Sequence, residues 1–379
     1  MKDYTLLLNN LSETGNLRSL PDVIHKGKRI EKNGREMLNF SSNDYLGLAS
    51  RQDLLSTFLS EWKEKPLPFS SSSSRLLTGN YAVYAQLEKR MADRFGREAA
   101  LLFNSGYHAN TGILPALADK RTLILADKLV HASMIDGILL SGAPFRRYRH
   151  NDYEQLEQLL ARCAGQYEQI IVVTESIFSM DGDTADLPRL VALKKSYKNV
   201  CLYVDEAHAV GVRGKSGLGL AEEADCVSGI DLLVGTFGKA LASMGAYVLC
   251  DGKVRDYLVN TARPFIFSTA LPPVQIAWTL FIFNKLEEFA DERKHLSHLR
   301  QLLAKALEGK GGEISQSQII PYILGENRAS LRKAEELQQN GFYCLPVRPP
   351  TVPGGTARIR FSLTANLTEQ EVRNLIRQL

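Results

Sequence analysis

Between about residues 45 and 260, short apolar runs alternate with stretches whose apolar positions recur at helical spacing. The runs are Ala99 to Phe103, Thr122 to Ala126, Ile170 to Thr174, Val200 to Val204, Leu232 to Gly235 and Ala246 to Cys250. Each is continuous in hydrophobicity rather than alternating, which predicts strands buried on both faces. With helices between them, the expected fold class is α/β, a three-layer domain around a mostly parallel sheet. Ahead of it, residues 1 to about 40 read as a helix with a short strand pair, broken at Pro21 and Asn33-Gly34. The pattern changes after Leu271-Pro272-Pro273. A long amphipathic stretch from Val274 to about Leu307 precedes a strand from Ile314 to Leu324 and a helix from Ala329 to Asn340. An alternating strand, Arg358 to Leu363, and a last helix from Thr368 complete a smaller α+β domain. The expected division is an N-terminal segment 1–44, a large domain 45–270 and a small C-terminal domain 271–379.

Composition narrows the function classes. Of 379 residues 44% are hydrophobic, and 46 Lys and Arg against 42 Asp and Glu leave a net charge of +4. This balance excludes a disordered or collagen-like chain and is too small to argue for nucleic acid. The densest basic cluster, Arg146-Arg147-Tyr148-Arg149-His150, is short and reads as a solvated strand end. The five cysteines are scattered without a Cys-x-x-Cys pair, so neither zinc nor a disulfide framework is suggested. The start, Met1-Lys2-Asp3-Tyr4, lacks an apolar signal core, and the greasy stretch Leu271 to Phe283 is too short and interrupted for a membrane span. A soluble cytoplasmic protein is expected.

Ligands of open α/β sheets gather beyond the carboxyl ends of the strands, and four such ends carry unusual residues. Asn104-Ser105-Gly106-Tyr107 opens a helix with small residues, leaving backbone N–H groups and the positive end of the helix dipole for a phosphate, or forming an ordinary turn. Asp205-Glu206-Ala207-His208 places a carboxylate where an apolar strand ends. Such an acid is a metal ligand, an ATPase acid, the partner of a protonated ring nitrogen or a helix cap. Thr236-Phe237-Gly238-Lys239 leads into Ala240-Leu241-Ala242-Ser243. A desolvated lysine there favours the neutral amine that attacks a carbonyl, the alternative being a snorkelling side chain. Thr236 is positioned to offer its hydroxyl to a phosphate. Finally, Glu175-Ser176-Ile177-Phe178-Ser179-Met180-Asp181-Gly182 is a polar loop that presents Ser179.

Taken together, these segments resemble the fold-type I pyridoxal-phosphate (PLP) enzymes, and within them the α-oxoamine synthases. The resemblance runs from Asn39-Phe40-Ser41-Ser42-Asn43-Asp44-Tyr45-Leu46-Gly47-Leu48 to Arg358-Ile359-Arg360 and includes Asp127-Lys128-Leu129-Val130-His131-Ala132-Ser133. It implies an acyltransferase that joins an amino acid to an acyl thioester with loss of carbon dioxide, using pyridoxal 5'-phosphate. It implies Lys239 as the Schiff-base lysine, Asp205 beside the ring nitrogen, His131 stacked on the ring and His208 at its hydroxyl. It further implies cofactor contacts from Gly106, Tyr107, Thr236 and Ser179. Ser268 and Thr269 would reach the phosphate of the other subunit in a homodimer. Arg360 would bind the amino-acid carboxylate, with Asn43 nearby.

Two segments, Ser73-Ser74-Arg75-Leu76-Leu77-Thr78-Gly79 and Arg348-Pro349-Pro350-Thr351-Val352-Pro353, resemble the branch that serves biotin biosynthesis. That branch condenses L-alanine with pimeloyl-CoA or a pimeloyl carrier protein, and places Thr351 and Arg18 at the substrate. Sister branches use glycine with acetyl-CoA or succinyl-CoA, or serine with a long acyl-CoA. The chain departs from the family pattern at the serines Ser70 to Ser74, which replace a glycine-bearing stretch, and at Ala240 to Met244, which replaces a glycine-rich run. Both changes restrict the backbone.

Other classes fit less well. Asp205-Glu206-Ala207-His208 also spells a helicase motif, but Gly214-Lys215-Ser216 lacks the first glycine of a phosphate loop and lies downstream. No Gly-x-Ser-x-Gly elbow supports a serine hydrolase. A binding module without catalysis would have no reason to combine Lys239, Asp205 and Arg360.

Overall fold

The computed structural model of the protein describes residues 2–65 and 68–379, so Met1 lies outside them. The chain divides into two compact units. The larger comprises residues 51–178 and 184–290, the smaller residues 1–50, 179–183 and 291–379. The first fifty residues therefore share a unit with the C-terminal part, and residues 271–290 belong to the larger unit.

The larger unit is built on a seven-stranded sheet. Its order is Ala99–Phe103, Ala246–Cys250, Leu232–Thr236, Val200–Asp205, Gln169–Glu175, Thr122–Asp127 and Phe145–Tyr148. Ala246–Cys250 runs antiparallel to both neighbours, and the pairs from Leu232–Thr236 to Phe145–Tyr148 are parallel. All six apolar runs are strands of this sheet. Residues such as Leu101, Ile124, Ile171, Tyr203, Val234 and Val248 are almost fully buried and form one core with the helices Gly106–Leu117 and Ala132–Ser141. Continuous apolar sequence is what burial on two faces demands. The remaining strand, Phe145–Tyr148, carries the basic cluster at the sheet edge, with its first three residues exposed.

The smaller unit holds two sheets. In one, Ile24–Lys26, Arg29–Lys32 and Arg35–Asn39 form an antiparallel meander, and Phe342–Tyr343 joins its last strand in parallel. The expected strand pair is thus three strands. In the other, Ala357–Ser362 lies between Ile319–Gly325 and Pro346–Val347, antiparallel to both. The last helix, Glu369–Ile376, starts with a capping box between Thr368 and Glu371.

Two sequence expectations change. The single amphipathic stretch after residue 274 is two helices, Pro273–Asn284 and Ala290–Ala306, joined by a short 3-10 turn, Leu286–Phe289. The strand expected from Ile314 begins only at Ile319. The Ser315 hydroxyl donates to the carbonyls of Ser317 and Ile319, a local bond that competes with strand pairing. In both glycine-poor loops a residue takes the left-handed conformation that glycine would adopt freely: Ser72 at φ 50° and Ala242 at φ 46°. Hydrogen bonds hold each one. The Ser72 N–H donates to Ser70 Oγ, and the Ala242 carbonyl accepts from the Trp278 indole.

All five cysteines are free. Among the described residues no helix is long and apolar enough to cross a membrane, and no cluster of three or more His, Cys, Asp or Glu could hold a metal ion.

Candidate active site

The sequence-predicted residues fall into two groups, one in each unit. In the larger unit they stand at carboxyl ends of the sheet. Val200–Asp205 delivers Asp205, whose register partner on the neighbouring strand is Glu175. The Asp205 carboxylate is 6% exposed and accepts from the Asn110 amide at 3.0 Å and the Ala207 N–H at 2.8 Å. Among the described residues no lysine, arginine or histidine forms an ion pair with it. A buried carboxylate ringed by neutral donors suits a cationic ligand atom.

Asn110 is the residue sequence reasoning missed. It sits one turn inside the helix Gly106–Leu117 and is 1% exposed. One amide hydrogen goes to Asp205, the other to Ser133 Oγ at 2.9 Å, and the amide oxygen accepts from the Tyr203 hydroxyl. Ser133 Oγ, having accepted from Asn110, is left to donate to His131 Nδ1 at 2.8 Å. His131 Nδ1 also accepts the Ser133 N–H at 3.3 Å, so the ring's own proton belongs on Nε2. Burial, then the Lys239 charge, pushes the His131 pKa below the usual histidine value against the pull of Asp205. The sequence gives little to single it out, because Asn110 lies between His108 and Thr111 on a helix with several polar positions.

Lys239 follows the strand Leu232–Thr236, and its Nζ lies 2.8 Å from His208 Nε2. Gly106 is the first residue of its helix, capped by the Ser105 hydroxyl, and the nearest atom a Cβ there would meet is 3.9 Å away. The helix N-terminus is therefore open, as a phosphate requires. Thr236 Oγ1 donates to the Gly245 carbonyl and accepts from Gly238 N–H, so it braces the lysine loop. The Tyr107 side chain is half exposed, and its hydroxyl donates to Asp136. Ser268 and Thr269 follow the short helix Arg263–Ile266, and the Thr269 carbonyl accepts from the Asn104 amide at 2.7 Å.

Two buried acids beside this group were not singled out. Glu175 is 3% exposed and one carboxyl oxygen has no hydrogen-bond partner; burial and the Asp205 charge push its pKa well up. Glu206 is fully buried and accepts the N–H groups of Leu220 and Ala221 at the start of the helix Leu220–Glu223. Burial pushes its pKa to about 7.

In the smaller unit, the Arg360 guanidinium on the strand Ala357–Ser362 donates to the Ser179 carbonyl at 2.5 Å, Ser362 Oγ at 2.6 Å and Asn43 Oδ1 at 3.3 Å. The Tyr45 hydroxyl lies 3.4 Å from Nη2 and donates to Asn43 at 3.0 Å. Every partner is neutral, so the positive charge is held in place without being neutralised. Arg358, two residues earlier and 4% exposed, is instead ion-paired to Asp181. Ser179 is buried at the head of the loop 179–183, where Gly182 has φ 74° and a Cβ would overlap the Ile319 carbonyl. Arg18 donates to Thr351 Oγ1 at 3.0 Å.

The description "Aminotransferase class I and II" matches residues 35–379, and the chain belongs to that family. It is 62% identical to the 8-amino-7-oxononanoate synthase of Haemophilus ducreyi, over 99% of both sequences. Among solved structures, it resembles serine palmitoyltransferase from S. paucimobilis with bound PLP and myriocin, with a TM-score of 0.90 at 26% identity over 99% of this chain and 95% of that one. It also resembles the 8-amino-7-oxononanoate synthase of Francisella tularensis, with a TM-score of 0.75 at 28% identity over 90% and 96%.

Proposed function

We propose that the protein is a cytoplasmic, homodimeric PLP enzyme of biotin biosynthesis. It condenses L-alanine with a pimeloyl thioester, on CoA or a carrier protein, giving 8-amino-7-oxononanoate, carbon dioxide and free thiol. The full-length likeness to the Haemophilus enzyme supports the class. The observation that carries the cofactor is Asp205, a buried carboxylate with only neutral donors in the same unit as Lys239.

The residues present fit pyridoxal 5'-phosphate. Lys239 would hold it covalently, Asp205 would face its ring nitrogen, and the open helix start at Gly106 would take its phosphate, with Tyr107, Thr236, Ser179 and His208 around it. Ser268 and Thr269 would serve the phosphate of the second subunit. When bound, the cofactor supplies a protonated ring that accepts the electron pair left at the amino-acid α-carbon. Lys239 Nζ is the base that would take the α-proton, with His208 Nε2 beside it to receive or return that proton. His131 presents a neutral ring with its proton on Nε2, a donor suited to the thioester oxygen as charge develops there. Arg360 and Asn43 hold the alanine carboxylate, and Arg18 and Thr351 contact the acyl substrate.

Thiol release by the PLP-loaded protein tests this reading. Pimeloyl-CoA with L-alanine should give thiol and a product of the expected mass, while Lys239→Ala should give none. Turnover only with glycine and acetyl-CoA or succinyl-CoA would move the protein to a sister activity.

A further inference from the structure

Ala242 lies three residues after Lys239 and takes φ 46°, a conformation that a Cβ disfavours and that glycine adopts freely. The backbone at this point sets the lysine. The Ala242 N–H donates to the Lys239 carbonyl at 2.9 Å, and the Ser243 N–H donates to the Phe237 carbonyl at 2.9 Å. These two bonds close the turn around Lys239, so a change of backbone at residues 242 and 243 moves the base of the lysine side chain. Ala240 and Leu241 are buried, whereas Ala242 and Ser243 are half-buried and Met244 is exposed. Burial therefore anchors the first half of the loop more firmly than the second.

The helix Pro273–Asn284 anchors the second half. It is mostly apolar, but Gln275, Trp278 and Thr279 fall at i, i+3 and i+4, on one face. All three serve the loop. The Trp278 indole N–H donates to the Ala242 carbonyl at 3.0 Å. The Gln275 amide donates to Ser243 Oγ at 2.7 Å, and the Thr279 hydroxyl gives its proton to the Gln275 carbonyl at 2.8 Å. The Ser243 hydroxyl is therefore the donor in its 2.6 Å bond to Thr279. Each hydroxyl both donates and accepts, so the network runs in one direction. The indole is itself held in place: its ring meets Phe58 edge-on at 5.3 Å and stacks on Phe281 at 5.6 Å.

We propose that Gln275, Trp278 and Thr279 are positioning residues for Lys239, holding Ala242 and Ser243 in a turn that the Ala242 side chain resists. The inference rests on the reading of Lys239 as the lysine that bonds PLP, and it names what holds that lysine. With glycine at 242 the turn would form unaided. With alanine there, the left-handed backbone persists because the helix grips the carbonyl of Ala242 and the hydroxyl that follows it.

The test removes single polar atoms from the PLP-loaded protein. Trp278→Phe keeps a ring beside Phe58 and Phe281 but has no N–H, and Thr279→Val keeps the shape without the hydroxyl. Each should lower kcat about tenfold with little change in KM for alanine, the signature of a displaced base. Each should also shift the pH midpoint of the cofactor's visible absorbance, which reports the surroundings of Lys239 Nζ. Adding Ala242→Gly to Trp278→Phe should recover most of both losses. A fall in thermal stability with kcat and the absorbance midpoint unchanged would make the helix contacts structural only and overturn the proposal. A loss that Ala242→Gly leaves in place would overturn it too. Hydrogen exchange of residues 237–245, read by mass spectrometry on the full chain without PLP, separates this inference from the cofactor assignment. Faster exchange in Trp278→Phe, slowed again by Ala242→Gly, supports the clamp even if PLP never bonds Lys239; unchanged exchange rejects it.

Discussion

Arg358 and Arg360 sit two positions apart on one strand, on the same face, and what each meets decides its role. Arg358 is neutralised by Asp181, whereas Arg360 is held by a carbonyl, two hydroxyls and an amide. A charge that is fixed but not neutralised is ready for a substrate anion. Arg360→Ala should weaken alanine binding at least tenfold in a spectral titration, in line with about 1.5–3 kcal/mol for a charge-assisted bond. Arg358→Ala should instead lower stability by about 3–5 kcal/mol by orphaning Asp181, with little change in alanine affinity of the folded fraction. If both variants lose alanine affinity alike, the distinction fails. Asn110 is a second case in which one side chain sets two others. Asn110→Ala removes a donor from Asp205, an acceptor from Tyr203 and the bond that orients Ser133 toward His131. It should cost about 1–3 kcal/mol in a denaturant titration for the polar groups left buried. It should also shift the pH dependence of the cofactor absorbance, which a purely packing role would leave unmoved. The sequence pointed to Asp205 and Lys239 because their motifs are local, and to His131 and Arg360 through the family resemblance. It did not show Asn110, whose partners lie 23 to 95 residues away.

At the scale of elements, the strand ends carry both the chemistry and its cost. Glu206, next to Asp205, reads in the sequence as part of an acidic motif, yet it serves as a buried clamp on the helix Leu220–Glu223. Its folded pKa of about 7 lies above the ordinary glutamate value of 4.5. A raised carboxyl pKa means the folded protein holds its proton longer than the unfolded chain. The associated stability is therefore full below pH 4.5 and is lost as pH rises through 7. The loss is about 3 kcal/mol across that window for this one group. Denaturation midpoints at pH 5 and pH 8 test it against Glu206→Gln, which mimics the protonated form. The wild type should lose more stability than the variant between the two pH values, and parallel profiles would refute the role. His131, with its lowered pKa, works in the opposite sense, since its contribution is lost as pH falls below the ordinary histidine value. Comparing wild type with the variant cancels it. The strand limits were largely legible because burial on both faces leaves an uninterrupted apolar run. The helix break at residues 284–290 was not, because no Pro or Gly marks the change from an apolar helix to an amphipathic one, and the residues between them are ordinary helix formers.

For the whole molecule, chain order and unit membership differ. The meander Ile24–Lys26, Arg29–Lys32, Arg35–Asn39 supplies the partner strand for Phe342–Tyr343, and Ile30 and Met37 pack with Tyr343. Removing residues 1–39 should leave that strand unpaired and open residues 291–379 to protease while the seven-stranded unit stays resistant. Limited proteolysis read by mass spectrometry checks this, and unchanged protection of 291–379 would contradict it. By itself the sequence determined the fold class, the central strands and the motifs at their ends, because hydrophobic periodicity and turn chemistry act over a few residues. Tertiary structure decided the rest: that residues 1–50 join residues 291–379, that Asn110 links Asp205 to His131 through Ser133, and that of two neighbouring arginines Arg358 meets an acid and Arg360 neutral groups. Those facts depend on residues brought together from distant positions, and the hydrogen bonds and charges that distinguish them exist only once the backbone has closed the distance.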